Sequence, residues 1–291
     1  MTREKKTPGG QGAIHPPSEI QNQKSEIRNL ASAISASPKY HAVCQELVER
    51  VGQQELAKRR NLREAVKATK NKLHQVGGAY LEGDLPYAAW LEELGAASDP
   101  ADLRRTCRKI MDAHASTRER LPILDEFYEI IWAGLPPVRS VLDLACGLNP
   151  LTLPWMPLAE GAAYYAYDIY QDMVDFLGRF MALPLAKVRG QAQARDVLQL
   201  SAAPRVDLAL ILKAIPCLEQ MDKAAGAKLL AAVQADYVLV SFPVQSLGRR
   251  EKGMADNYEA HFRELLKGRP GAIRRFQFSS ELVFLISQNQ A

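Results

Sequence analysis

Cysteine is scarce in this chain and widely spaced. Cys44, Cys107, Cys146 and Cys217 are the only four in 291 residues. They form no CxxC pair and no His/Cys cluster at metal-ligand spacing, which argues against a structural zinc or other metal site and points to a reducing cytosol. Long apolar runs are missing too. No stretch reaches the length of a membrane span, and Met1 to Gly12 is polar and Gly/Pro-bearing, so neither a spanning helix nor a secretory leader is expected. A cytoplasmic protein without membrane contact is the expectation. A large charge excess is also lacking: the net charge is +4, so any case for nucleic-acid binding must come from where the charges sit. What remains is the balance of a soluble globular protein, 47% hydrophobic and 24% charged, at a length that suits two domains or one large domain with an extension. There is no internal repeat.

Residues 1–23 carry Pro8, Gly9, Gly10, Gly12, Pro16 and Pro17 with few large apolar groups, and are expected to form a disordered tail. Residues 24–133 read as an all-α N-terminal domain. Leu62, Val66, Thr69, Leu73 and Val76 recur at helical spacing, Pro86 marks one helix start, and Ser98-Asp99-Pro100 is a cap signal for another. After Pro136-Pro137 the pattern changes, and residues 134–291 read as an α/β domain. Strands are expected at Ser140–Cys146, Ala162–Ile169, Val206–Leu212, Asp236–Phe242, Ile273–Ser279 and Leu282–Ser287, with helices at Tyr170–Met181 and Leu218–Ala235. Strands separated by helix-length segments imply βαβ units and a mostly parallel, Rossmann-like sheet. The last two strands are joined only by Ser280-Glu281, a hairpin that reverses the final strand.

Val141-Leu142-Asp143-Leu144-Ala145-Cys146-Gly147-Leu148-Asn149-Pro150 is the stretch richest in chemistry. An apolar strand carries an acid and ends in small residues, where an open α/β sheet lets backbone approach a ligand. Asp168, at the end of the next strand, is placed to accept hydrogen bonds from ribose hydroxyls. The turn has one glycine where a dinucleotide fingerprint has three, and no GxxxxGK[ST] is present for ATP. S-adenosylmethionine (SAM), which has no phosphate and needs less backbone clearance, is therefore favoured over NAD. Asp196-Val197 suits an adenine amino group and ring, or a simple helix N-cap. His114–Leu121 offers a guanidinium for the carboxylate of SAM, or only a solvated helix face. Together these predict a class I SAM-dependent methyltransferase fold behind the helical domain.

Four segments resemble the aminoglycoside-resistance 16S rRNA methyltransferases of the Arm, Rmt and Kgm types: His114–Leu121, Asp143–Leu151, Leu212–Gln220, and Ser241-Phe242-Pro243 with Ser246-Leu247-Gly248 and Lys252-Gly253-Met254. The likeness runs over residues 30–288 in matching order. It implies methylation of N7 of guanine 1405 in 16S rRNA of the 30S subunit, an rRNA-modification step that gives antibiotic resistance. It also implies that Arg118 holds the SAM carboxylate, Gly147 lines the cofactor, Asp168 takes the ribose, and Asp196 with Val197 holds the adenine. His114, Ala145, Ile169 and Leu212 complete the expected cofactor set. Lys213, Arg250, Lys252 and Met254 match positions near the target. Gln245 and Arg249 depart from the family pattern.

Between Lys58 and Lys72 seven basic residues face one acid, Glu64. Arg59, Arg63, Lys67 and Lys70, with Arg60 beside them, predict a phosphate-binding face; a merely solubilising face is the alternative. A second cluster, Arg249, Arg250 and Lys252, sits near Met254 and Tyr258, which could contact a base. No histidine has a triad-like partner. N7 of guanine carries a lone pair and no proton, so no general base is required and catalysis rests on in-line placement. The groove of A-form RNA hides N7, so the base is expected to turn out of its helix, with Lys213 or Arg250 on phosphate or O6. A nucleophilic Cys217 is the rival, and Pro216-Cys217 lies three residues past the strand rather than at its tip. A monomer is expected.

Overall fold

The computed structural model describes residues 17–76, 85–200, 203–244 and 254–288. Its centre is a sheet built from β1 (Ser140–Leu144), β2 (Ala163–Asp168), β3 (Arg189–Ala194), β4 (Val206–Leu212), β5 (Ala235–Pro243), β6 (Ala272–Gln277) and β7 (Glu281–Ser287). The spatial order is β3-β2-β1-β4-β5-β7-β6. β1 to β5 run parallel, and β7 pairs antiparallel with both β5 and β6. β1, β4 and β7 are buried almost end to end because both sheet faces are covered. The strand order departs in opposite directions from β1 and β4, and at such a switch point the loops beyond the strand tips diverge and leave a crevice.

β3 is a strand the sequence reading missed. Its Arg-Gly-Gln-Ala-Gln-Ala has no β-branched or aromatic residue and alternates exposed with half-buried positions. It is ordered by six paired positions along β2 and by Gly190, where a Cβ would lie 2.3 Å from the Cβ of Met181. Met181 ends α8 (Gln171–Met181), whose buried face of Met173, Val174, Phe176, Leu177 and Phe180 is the expected amphipathic pattern. The helix expected over Leu218–Ala235 is instead two short ones, α9 (Ala214–Leu218) and α10 (Ala225–Ala232). Asp222 breaks the run by accepting the Ala224 N–H on its side chain and the Ala225 N–H on its carbonyl.

The preceding helices are α1 (Pro17–Ser35), α2 (Gln45–Leu56), α3 (Leu62–Val76), α4 (Tyr87–Gly95), α5 (Pro100–Met111), α6 (Ala115–Arg120) and α7 (Leu124–Trp132). α1 begins inside the stretch expected as tail; residues 1–16 lie outside the described residues. Asp99 caps α5 as expected, accepting the Ala101 and Asp102 N–H groups. The buried stripe of α3 is Ala65, Thr69 and Leu73, whereas Leu62 is exposed. Packing against α2, not residue size, sets that face.

The helices pack in two ways. Residues of α4, α5 and α7, such as Trp90, Leu103, Ile110 and Phe127, share one core with Val141, Tyr164 and Leu208 of the sheet. α1 to α3 form their own cluster around Leu30, Ile34, Leu47, Val51 and Leu73. This cluster is joined to the sheet by a bridge from Val43 to Tyr170, with Cys44 N–H on Ile169 O and Gln171 N–H on Ala42 O, both 2.7 Å. No helix among the described residues is long and apolar enough to cross a membrane.

Candidate cofactor site and basic surface

The chain leaves β1 through a turn in which Ala145 (φ 52°) and Gly147 (φ 51°) are both left-handed. The left-handed φ favours glycine at Gly147, and the packing demands it, because a Cβ would stand 2.7 Å from Cε1 of His114. The turn is anchored from behind by Asp143, whose Oδ2 accepts from Asn149 Nδ2 (2.8 Å) and the Tyr164 hydroxyl (2.7 Å). Expected as one of the acids of the pocket, Asp143 is instead buried off its wall. Its position in the middle of the strand, where side chains alternate between faces, turns it toward the packed side.

Burial pushes the Asp143 carboxyl up to about 6 from its ordinary 3.8, against the lowering by Asn149, Tyr164 and Arg120. The stabilising contribution of a raised acid is complete below its unfolded pKa and is lost as pH rises through about 6. Asp143→Asn keeps an oxygen for both donors and removes the buried charge. Relative to wild type it should gain up to about 3 kcal/mol between pH 4 and pH 7.5. Urea unfolding at the two pH values measures this; an unchanged difference would show that Asp143 does not titrate there.

Beyond the strand tips lies an open cleft. Ala145 and Gly147 of the first turn line it, with Asp168 and Ile169 from the end of β2, Asp196 and Val197 after β3, and Leu212 and Lys213 at the end of β4. All but Lys213, which was expected near the target, are expected cofactor residues, brought together as the strand order requires. Asp168 is held by the Gly147 N–H (2.8 Å) and the Ile169 N–H (2.7 Å), and burial raises its carboxyl against those bonds. His114 closes the first turn. Burial, then the cations Lys213, Arg120 and Arg118, lower its imidazole to about 4, so it is neutral at physiological pH. Two carboxylates on successive strand tips, an apolar wall between them and a turn that admits no Cβ fit a nucleoside without phosphates. SAM is such a ligand.

Among the contributors absent from the expected set, three shape the site's charges and one of its walls. Leu47 of α2 lines the cleft, and Arg50 of α2 donates through Nε and Nη2 to the Asp196 carboxylate. Only the fold connects residues so far apart in sequence. Glu281, expected in the hairpin turn, is the first residue of β7, opposite Pro243, and fully buried. It receives Arg120 on both oxygens (2.8 and 3.0 Å) and Lys213 at 3.3 Å. Lys213 Nζ also donates to Ser116 O (2.9 Å) and to Glu119 (2.8 Å). The ammonium therefore sits in the cleft wall as part of a charge network. An acid opening an otherwise apolar strand was the one available signal.

The remaining expected residues divide. Arg118, one helical turn from His114, is exposed, off the cleft wall, and donates to Asp112 O (3.2 Å). Met254 begins α11 (Met254–Leu265), and Tyr258 stacks on Phe242 with ring centroids 5.1 Å apart. Arg249, Arg250 and Lys252 lie outside the described residues. Cys217 lines the cleft, its thiol donating to Lys213 O (3.4 Å). In the basic run, Lys58, Arg59 and Lys72 converge on the buried Glu55, which fastens the end of α2 to α3. Arg59 thus stands before α3 in a structural ion pair, not on one face with the others. Arg60, Arg63 and Lys67 are exposed and Lys70 half-buried. Among the described residues no group of three His, Cys, Asp or Glu could hold a metal.

Known proteins share both the sequence and this geometry. The family model described as ribosomal RNA methyltransferase (FmrO) matches residues 36–285. A 16S rRNA (guanine(1405)-N(7))-methyltransferase of Micromonospora rosea is 38% identical over 265 residues, covering 89% of this chain and 96% of the relative. The Micromonospora echinospora protein of the same name is 37% identical, with 91% and 98% covered. The 16S rRNA methyltransferase RmtF, solved with S-adenosyl-L-homocysteine, superposes with a TM-score of 0.76 at 32% identity, over 91% of this chain and 98% of that one. This chain belongs to the FmrO family of ribosomal RNA methyltransferases.

Proposed function

We infer that the protein methylates N7 of guanine 1405 in 16S rRNA, with SAM as methyl donor. The carrying observation is the cleft at the switch point, where one glycine turn and the acids Asp168 and Asp196 come together beside Lys213. SAM brings a sulfonium-bound methyl group. The chain's residues supply its grip: Asp168 for the ribose hydroxyls, Asp196 and Val197 for adenine, and Ala145, Ile169 and Leu212 for the apolar wall; Arg118, exposed and bonded to Asp112 O, has to turn inward to reach the carboxylate. His114, neutral and packed on Gly147, adds no competing cation.

Guanine N7 presents a lone pair, so no residue has to remove a proton, and placement in line with the methyl group is the main catalytic device. Lys213 follows β4 in the cleft wall; its ammonium is engaged by Ser116 O, Glu119 and Glu281, and it has to exchange one of these to reach guanine O6 or a phosphate. Met254, at the start of α11, is assigned to the target side; Arg250 and Lys252, which the resemblance assigns there too, lie outside the described residues. On this reading the substrate is 16S rRNA within the 30S subunit, with exposed cations Arg63 and Lys67 of α3, which are not among the cleft-lining residues, offering further phosphate contacts. Action as a monomer, in the cytoplasm where the ribosomes are, is part of this reading.

Incubation of 30S subunits with protein and SAM, followed by primer extension and mass mapping, should place the methyl group on guanine 1405. An unmodified guanine 1405 refutes this function. Cys217→Ser in the same assay should methylate as wild type, since the thiol forms no bond to the base; loss of methyl transfer with SAM affinity intact would favour the nucleophilic rival.

The α3 surface is tested separately. With Arg59 committed to Glu55, the residues to neutralise are Arg60, Arg63 and Lys67. Their combined change to Gln should weaken 30S binding and reduce the slope of log affinity against log salt by about 2–3. SAM affinity measured by calorimetry should stay unchanged. Equal loss of both affinities would make α3 a structural element only.

A further inference from the structure

We propose that Arg50 of α2 is a positioning residue of the cofactor site, orienting the Asp196 carboxylate to accept a hydrogen bond from the 6-amino group of adenine. The proposal rests on the assignment of Asp196 to adenine made above. Arg50 Nε bonds Asp196 Oδ2, and Nη2 reaches Oδ1 at 3.3 Å. The two side chains are 15% and 2% exposed, so this pair lies where solvent screening is weak and geometry counts.

The surroundings give the pair a purpose. Asp196 N–H donates to Glu46 Oε2 (3.2 Å), and Asp196 Oδ1 accepts the Leu198 N–H (3.1 Å). Glu46 and Arg50 lie one turn apart on α2, so the helix sets an acid and a guanidinium around Asp196, and Leu47 between them lines the cleft. Without Arg50, two carboxylates would face each other across this corner. A carboxylate has about four acceptor sites. Arg50 takes two and Leu198 one, which leaves one for the cleft that Asp196 lines. An N-cap or a turn would need only the Leu198 contact. A guanidinium brought from a separate helix cluster fixes which way the remaining lone pair points. That arrangement selects a ligand that donates at this position and rejects one that accepts there.

S-adenosyl-L-homocysteine and its inosine counterpart, which carries a carbonyl oxygen in place of the 6-amino group, provide the test. Calorimetry on the wild-type chain should show a preference for the adenine ligand of roughly tenfold or more. Arg50→Ala should lose most of that preference, as should Asp196→Ala, and the double variant should lose no more than either. Arg50→Lys, which retains charge but not the fork, should recover it only in part. Arg50→Gln, measured alongside, keeps the polar stem should the alanine variant not fold. A purely structural Arg50 would weaken both ligands by the same factor, and that result overturns the proposal. If Asp196→Ala abolishes the preference and the Arg50 variants keep it, Arg50 is wrong and the adenine assignment stands. If Asp196→Ala keeps the preference, the adenine assignment itself falls and the proposal with it.

Discussion

Glu281→Ala is expected to destabilise the protein by about 3–5 kcal/mol, because it leaves Arg120 and Lys213 buried without their shared anion. Arg120 is 1% exposed and Lys213 6%, while Glu281 is fully buried. Their mutual fields hold the Glu281 carboxyl below its usual range despite burial, with Arg120 the foremost favourable cause and Lys213 the next. Arg120 is in turn held charged, burial opposing and Glu281 prevailing. The network spans α6, β4 and β7 and continues from Arg120 to Asn149 (2.7 Å) and so to Asp143 and the Gly147 turn. The loss should therefore appear as lower stability in urea and also as weaker SAM binding at temperatures where the variant is still folded. Glu281→Gln keeps the shape and loses the charge, so it should fall between wild type and alanine. Converting Glu281, Arg120 and Lys213 together to apolar residues of similar volume should restore much of the stability but not the methyl transfer. An alanine variant within 1 kcal/mol of wild type would mean that water enters and solvates the two cations.

The parts of this architecture that the sequence made legible are those in which local pattern and tertiary environment agree. β4 is apolar from Leu208 to Leu212 with Asp207 its one polar residue, lies between two strands, and matches the expected bounds. The Asp168 tip and the Gly147 turn could be read because a phosphate-free nucleoside needs an acid and a gap at those offsets, whatever the rest of the chain does. β3 was hidden because an edge strand of Gly, Gln, Ala and Arg gets its order from its neighbour. Arg50 and Glu281 were hidden for another reason: each functions through a partner more than a hundred residues away, at Asp196 and Arg120. Arg59 shows the converse error. A run of cations looks like one surface in sequence, but a single buried acid, Glu55, pairs with three of them.

Asp168→Ala should lower SAM affinity at least about a hundredfold, since it removes a charged acceptor for two ribose hydroxyls, each such bond being worth about 1.5–3 kcal/mol. Two of the four acceptor sites of the carboxylate are taken by the Gly147 and Ile169 N–H groups. Those backbone bonds fix the direction of the remaining lone pairs, toward the cleft that Asp168 lines. Part of the loss in the alanine variant will come from slackening of the Gly147 turn, so the variant alone does not isolate the ribose contact. A ligand change does. Wild type should bind the 2′,3′-dideoxy form of S-adenosyl-L-homocysteine far more weakly than the parent, whereas Asp168→Ala should bind the two about equally, because a missing hydroxyl costs nothing where its acceptor is already gone. Asp168→Asn offers one acceptor oxygen and should lie between. If the alanine variant still discriminates the dideoxy ligand as strongly as wild type, the ribose is held elsewhere and Asp168 serves the turn alone.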